Sequence, residues 1–417
     1  MNLIAKQPSK TEVLPENIRI LAFVLCIISY AFAGTVSTLI SVYLPVLVPD
    51  LLHEKVSEAR LGEVGAYINA ISLYGWMIGG ILFGIISDKV GRKKVLVFVT
   101  GLYGLATVLV VLVPDWHLLA ICRFFSGMGV GGVLLVTTVY ISEIWIEKTR
   151  PVMVGILAVA FPLGIVASGG LNVLFSAWRN AFWLGLIPVI VAGLIAILLP
   201  ESPKWKNQQQ SQAASFGHLF NQDYRPSLVT GSLIFGSVLI GLWGIFSWLP
   251  TWIQALLPAG ASGQAERGIT MMLLGIGGII GGILSGFLIR LIGNRKTLMF
   301  TFIGCVLACC LLFLTNKTFS PVIYTETALL SLCFGISQGA LSSYIPELFP
   351  TSIRATATGF CFNVGRFFTA TAVFFVGSMV SVFGGFGNTL LVFSVTFILA
   401  LILAYFSKES KANLINP

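Results

Sequence analysis

GGILFGIISDKVGRKKVL, residues 79–96, returns as GGILSGFLIRLIGNRKTL at 281–298, and YISEIWIEKTR, 140–150, returns as YIPELFPTSIR at 344–354. The first pair is offset by 202 positions and the second by 204, so one alignment carries almost a whole unit of the chain across. In both copies of the first segment an apolar run stops in a cluster of Lys and Arg, which is how a helix leaving a bilayer on its cytoplasmic side reads. The chain is therefore two halves of like topology, each built from membrane helices.

Composition agrees. Of 417 residues 56% are hydrophobic and 10% charged, against about 25% charged in a soluble globular protein, and the mean hydropathy is +0.94. A membrane helix needs roughly 20 apolar residues, so the chain has room for about a dozen. The spans fall at 20–44, 63–87, 95–113, 117–142, 151–175, 180–199, 227–256, 268–290, 297–315, 321–343, 355–380 and 386–406. Runs of this length exclude a closed barrel, whose strands would alternate in units of about ten residues. The fold class is an all-α membrane protein, twelve transmembrane helices arranged as two pseudo-symmetric six-helix bundles. Residues 1–200 form the first bundle, 201–226 a polar linker with a short surface helix near Phe216 to Phe220, and 227–417 the second bundle.

Of the 25 Lys and Arg, eighteen fall on the side of the N-terminus and five on the other, Lys55, Arg60, Arg179, Arg267 and Lys317. That bias places both termini in the cytoplasm, in a cytoplasmic or inner membrane. The net charge of +9 is spread between apolar runs rather than along one solvated face, which argues against a nucleic-acid partner. The seven Cys lie inside the spans without metal or disulfide spacing, and His53, His117 and His218 lie in or near loops. The sequence thus points to no cofactor, no metal and no enzyme. Repeated halves are what alternating access needs, because a central site must be reachable from either side in turn.

Gly84-x3-Asp88-Lys89-x-Gly91-Arg92-Lys93-Lys94, Arg123-x3-Gly127-x-Gly129-x-Gly131, Pro200-Glu201-Ser202-Pro203-Lys204-Trp205 and Glu347-Leu348-Phe349-Pro350-Thr351-x-x-Arg354 resemble motifs of the major facilitator superfamily. The last two look like the branch of sugar, aromatic-acid and organic-ion carriers. Trp248-Leu249-Pro250-Thr251 and Gly365-Arg366 narrow the resemblance toward organic acids and organic ions. It covers residues 19–406, and it departs at span 1, which has no acidic residue between Arg19 and Asp50, and at span 5, which lacks the glycine-proline pattern of drug antiporters. The resemblance implies a cavity lined by spans 1, 4, 7 and 10 with help from 2, 5, 8 and 11. Its polar or aromatic candidates are Tyr30, Tyr67, Asn69, Tyr74, Asn172, Trp243, Trp248, Gln338 and Asn363. Pro162, Gly244 and Pro250 mark expected bends.

Individual residues carry the chemistry. Gly84 lies one turn before Asp88 on one helix face, so a neighbouring helix can approach and the carboxylate can clasp a helix N-terminus or Arg92. Glu143 and Arg150 bracket one interfacial turn, and Glu347 with Arg354 brackets its repeat, as expected of conformational latches. Arg366 is about 17 Å into span 11, near the bilayer midplane. A guanidinium there is costly on lipid, so it should face a cavity and meet an anion, with Asn363 on the same face. Glu326, roughly 8 Å from the outer end of span 10, is the candidate proton carrier. In the resembling proton-coupled carriers the Arg matching Arg123 tunes an acid on span 1; with that acid absent here, Arg123 is expected to bond to backbone or polar groups of span 1, such as Ser41 or Tyr43. The expected function is secondary active transport of a small organic anion, a carboxylate, by proton-coupled uptake in a monomer. Export, or carriage of a neutral or cationic metabolite or drug, is the alternative.

Overall fold

The computed structural model describes residues 14–208, 222, 224–350 and 353–407; over these the chain is helical, with no strand. The spans are α1 (Glu16–Leu52), α2 (Glu58–Val90), α3 (Arg92–Leu112), α4 (Trp116–Ile144), α5 (Arg150–Leu174), α6 (Trp178–Leu198), α7 (Arg225–Leu256), α8 (Gln264–Ile292), α9 (Asn294–Thr315), α10 (Val322–Glu347), α11 and α12 (Phe386–Phe406). The segment α11 is a pair, Thr356–Phe374 and Val376–Phe383, bent by 46°. Eleven of the described helices are long and apolar enough to cross a membrane, and the bent pair makes a twelfth. The expected surface helix near Phe216 to Phe220 lies outside the described residues; a short helix, Pro203–Gln208, precedes them.

Helix ends follow local chemistry. Ser57 Oγ accepts from the Arg60 backbone at the start of α2, and Asp115 accepts from the His117 and Leu118 N–H groups at the start of α4, each satisfying donors the helix leaves free. Gly91 and Gly293 break α2 from α3 and α8 from α9 at φ of 120° and 85°. They occupy equivalent places in the repeat because the turn needs a left-handed residue with no Cβ. The span α1 runs well past the apolar stretch ending at residue 44, because Pro45 and Pro49 are absorbed inside the helix. No break is recorded in α5 at Pro162, whereas α7 is interrupted at Ser247 and Trp248, between Gly244 and Pro250.

The two halves pack alike. In the first, α2 lies on α4, α1 on α5, and α3 on α4 and α6; in the second, α8 lies on α10, α7 on α11, and α9 on α10 and α12. Glycine permits the crossings, since a methyl at Gly79 would overlap the Met128 backbone and one at Gly281 the Leu332 carbonyl. Between the halves run two seams, α2 against α11 and α5 against α8. An even number of spans puts residues 14 and 407 at one end, the near end. The seams are shut at the far end, where a methyl at Gly377 would collide with the Glu63 backbone and one at Gly169 with Gly268. Toward the near end Gly155, Gly282, Gly286 and Gly359 have no atom of the described residues within 4 Å of a notional Cβ, so the halves stand apart there.

Candidate functional site

A cavity of about 510 Å³ lies between the halves and is lined by Tyr30 of α1, Trp76 of α2, Phe161 of α5, Trp243 of α7, Gln338 of α10 and Arg366 of α11. Gly155, Gly282 and Ser342 are also on its wall, at the level where the halves separate. Its floor is aromatic: Trp76 meets Trp243 edge-on at 5.5 Å and Phe161 at 5.6 Å, and Tyr30 meets Phe161 at 6.5 Å. Arg366 reaches across the seam, its guanidinium carbon 5.7 Å from the centre of the Trp76 ring. That contact holds a cation against a π face contributed by the other half.

Asn363 sits one turn earlier on α11. Its amide nitrogen donates to Gly359 O at 2.9 Å, which turns its oxygen to accept from Arg366 at 3.4 Å. No carboxylate pairs with Arg366 among the described residues. A guanidinium offers five N–H donors, so most of its capacity is left for something in the cavity. Gln338 also lines the wall, and its amide nitrogen has no partner among the described residues.

Of the candidates read from sequence, Arg366, Tyr30, Trp243 and Gln338 are brought together in the cavity, with Asn363 behind Arg366. The others lie elsewhere. Tyr67 donates to Glu63 at 3.2 Å and lies between Trp116 and Phe374 in a lateral groove. Tyr74 bonds Thr371 at 2.8 Å across the α2–α11 seam. Among the described residues, the buried Asn69 has no partner for its amide nitrogen, and Asn172, buried in α5, has none for either amide atom. Trp248 is fully buried, stacked on Phe386 at 5.5 Å with Gly65 beneath it. Sequence reasoning missed Trp76 and Phe161. Tyr67 and Tyr74 share a face, but Trp76 is about 200° round the helix from Tyr74 and is the one turned inward.

Glu326 is 7% exposed and accepts from Asn316 at 2.5 Å, apart from the cavity lining. Arg123 donates to Val36 O at 2.8 Å and Ser37 O at 3.3 Å. Its acceptors are thus backbone groups of α1, as the sequence allowed, about one turn before Ser41 and nearly two before Tyr43.

At the near end the expected Asp88–Arg92 clasp is formed, whereas the two expected latch pairs are not. Arg92 binds Asp88, the Ser87 hydroxyl at 3.0 Å and Glu143 at 3.1 Å. Glu143 therefore serves Arg92 rather than Arg150, because α3 packs on α4 while α5 starts on α1. Arg150 instead reaches Glu147 at 3.5 Å. In the repeat Glu347 accepts from Asn294 at 2.8 Å and Arg354 donates to Phe349 O at 3.3 Å, so this pair is also unformed. Asn294 is the counterpart of Arg92 and Glu347 of Glu143, so one bond recurs in both halves with an amide replacing a charge. Gly84 lets Leu135 of α4 come close, and Gly91 sits against the Glu201 carboxylate, which accepts from the Lys93 N–H at 2.9 Å. Glu201 and Trp205, whose indole donates to Asp88 O at 2.8 Å, complete this cluster.

The sequence profile described as Major Facilitator Superfamily matches residues 26–372. The chain belongs to that superfamily. It is accordingly a multi-pass membrane transporter. A probable 4-methylmuconolactone transporter of Cupriavidus pinatubonensis is 29% identical over 335 residues, covering 77% of this chain and 75% of that protein. The cis,cis-muconate transport protein of Acinetobacter baylyi is 27% identical over 376 residues, covering 86% and 89%. Among solved structures, a D-xylose–proton symporter superposes with a TM-score of 0.79 at 19% identity over 94% of this chain and 99% of that one, a likeness of fold.

In a transporter of this superfamily the Arg92 cluster has an unequal energetic structure. The side chains of Arg92 and Glu143 are 10% and 12% exposed, whereas that of Asp88 is 68% exposed. E143Q should therefore cost about 2 kcal/mol, as the loss of a shielded hydrogen bond between charges, while D88N should cost less than about 1 kcal/mol. Thermal unfolding of the purified protein in detergent checks the ranking, and equal shifts would contradict it.

Proposed function

We propose that this transporter takes up a small organic anion, a planar unsaturated or aromatic carboxylate, across the cytoplasmic membrane by alternating access coupled to protons. The observation that carries the reading is Arg366, a guanidinium without a carboxylate partner among the described residues, set over an aromatic floor between the halves. A carboxylate satisfies its planar fork, and a flat apolar body fits against Trp76, Phe161 and Trp243. The names of the relatives, transporters of muconate and 4-methylmuconolactone, support the same class. The Lys and Arg bias makes the near end cytoplasmic with both termini inside, so the described state is open to the cytoplasm.

No Asp or Glu is among the cavity-lining residues that are described. Among the described residues Glu326 is the one buried carboxylate, and it is our candidate for the coupled proton. The test is uptake by the purified protein in proteoliposomes, using benzoate, cis,cis-muconate and the amide of benzoate, with and without an acid-outside gradient. The acids should accumulate, the amide should not, and the gradient should raise accumulation severalfold. E326Q should lose the gradient-driven part and keep exchange of labelled for unlabelled acid. Equal transport of acid and amide would overturn the anion reading, net export would overturn the direction, and unchanged accumulation in E326Q would remove Glu326.

A further inference from the structure

Another guanidinium stands at the seam, this one buried, and nothing above uses it. Arg267, in the first turn of α8, is 2% exposed and forms no ion pair among the described residues. Its Nε donates at 3.0 Å to the carbonyl of Val42 in α1, which belongs to the opposite half. Its other donors stay in its own half, on Gln254 Oε1 and on Ser262 O at 2.8 Å. Gln254 in turn donates to Ala261 O at 3.0 Å, which fixes its oxygen toward Arg267. Three residues earlier, Gln264 donates to the carbonyls of Asn172 and Val173 at 2.8 and 3.1 Å, at the end of α5 in the opposite half.

Both side chains thus belong to the second half and hold backbone oxygens of the first, at the end where the seams are shut. A buried guanidinium with its donors spread over carbonyls is satisfied only while those carbonyls remain in place. Separating the halves at this end breaks three hydrogen bonds together. Gly169 and Gly268, which admit no Cβ, bring the two helix backbones near enough for the short Gln264 reach. Lysine could not replace Arg267, because a single ammonium cannot reach acceptors splayed around a planar fork.

We infer that Arg267, seconded by Gln264, is the latch that holds the far end of the transporter closed. Its release is a required step in exposing the cavity to that side. The inference rests on alternating access and not on the identity of the substrate.

The test reads populations in the empty carrier. Spin labels at K55C and K317C report the far end, and labels at K148C and K296C report the near end, all four positions being exposed. R267A, R267K and Q264L should each raise the far-end-open to far-end-closed ratio about tenfold, the effect of one net hydrogen bond, and the near-end distances should shorten in step. Q264L leaves the bonds of Arg267 within its own half untouched, so it stands if R267A fails to fold. Unchanged far-end distances in a folded Q264L and R267K would overturn the latch. A structural role alone would lower thermal stability without moving the two distance distributions in opposite directions. Because no substrate is added, failure of the anion reading would leave this result unaffected.

Discussion

Alanine at Arg366 is expected to weaken binding of a carboxylate substrate by about 2 to 5 kcal/mol, at least thirtyfold, much of it from leaving the anion unpaired in the cavity. R366K should fall between wild type and R366A, since it keeps the charge and loses the two-point fork and the flat contact with Trp76. The benzoate amide should bind wild type poorly and hardly distinguish wild type from R366A. Titration of the purified, folded variants measures all three. Acid affinity left unchanged in R366A would make Arg366 a structural cation and remove the anion assignment with it.

Valine at Gly377 should produce the other large effect. A Cβ there meets the Glu63 backbone rather than a yielding side chain tip, so the α2–α11 seam cannot close at the far end without displacing a helix. Overpacking of this kind costs about 1 to 3 kcal/mol. Because the strain exists only in the far-end-closed state, it appears as a shift of the two-state ratio, up to about a hundredfold, rather than as unfolding. Hydrogen exchange should rise in peptides covering 58–67 and 371–383 and stay unchanged around 79–84. Gly79 is the contrast, since its crossing with Met128 lies inside one half and is needed in every state. Exchange unchanged in the first two peptides of G377V would show that the seam absorbs the methyl.

What the sequence disclosed was what is local. Apolar length and basic flanks are properties of short stretches, so each of the twelve spans is visible on its own. Gly91 and Gly293 expose the repeat because both sit where a left-handed turn leaves little choice of residue. Arg366 was legible for an energetic reason: a charge within a span is expensive enough to have few explanations. The inward faces of the spans were legible only in part. A membrane helix is apolar toward lipid and toward protein alike, so periodicity does not say that Trp76 rather than Tyr74 meets the cavity. Buried amides such as Asn172 read as site residues from composition, yet this one lies in the shut seam. The partner of Glu143 was hidden by proximity: Arg150 is close in sequence, whereas Arg92 is 51 positions away and arrives through packing of α3 on α4. The repeat held the clue, because Arg92 and Glu143 correspond to Asn294 and Glu347, and both pairs bond.

The shut far-end seam, taken together with a cavity that opens at the near end, has an electrical consequence. A membrane potential falls across insulating protein rather than across a compartment continuous with solution, so most of the field is concentrated between Arg366 and the far surface. Carrying one elementary charge through 100 mV is worth about 2.3 kcal/mol. When access alternates, that steep segment passes to the other side of Arg366, and the guanidinium traverses much of the voltage while hardly moving in space. Under the proposed function, an anion seated on it cancels that charge while the proton on Glu326 adds none, so the occupied carrier turns over almost free of the field. In the vacant carrier the Glu326 carboxylate, its proton released, balances the guanidinium, so under the proposed proton coupling neither leg of the cycle carries much net charge through the field.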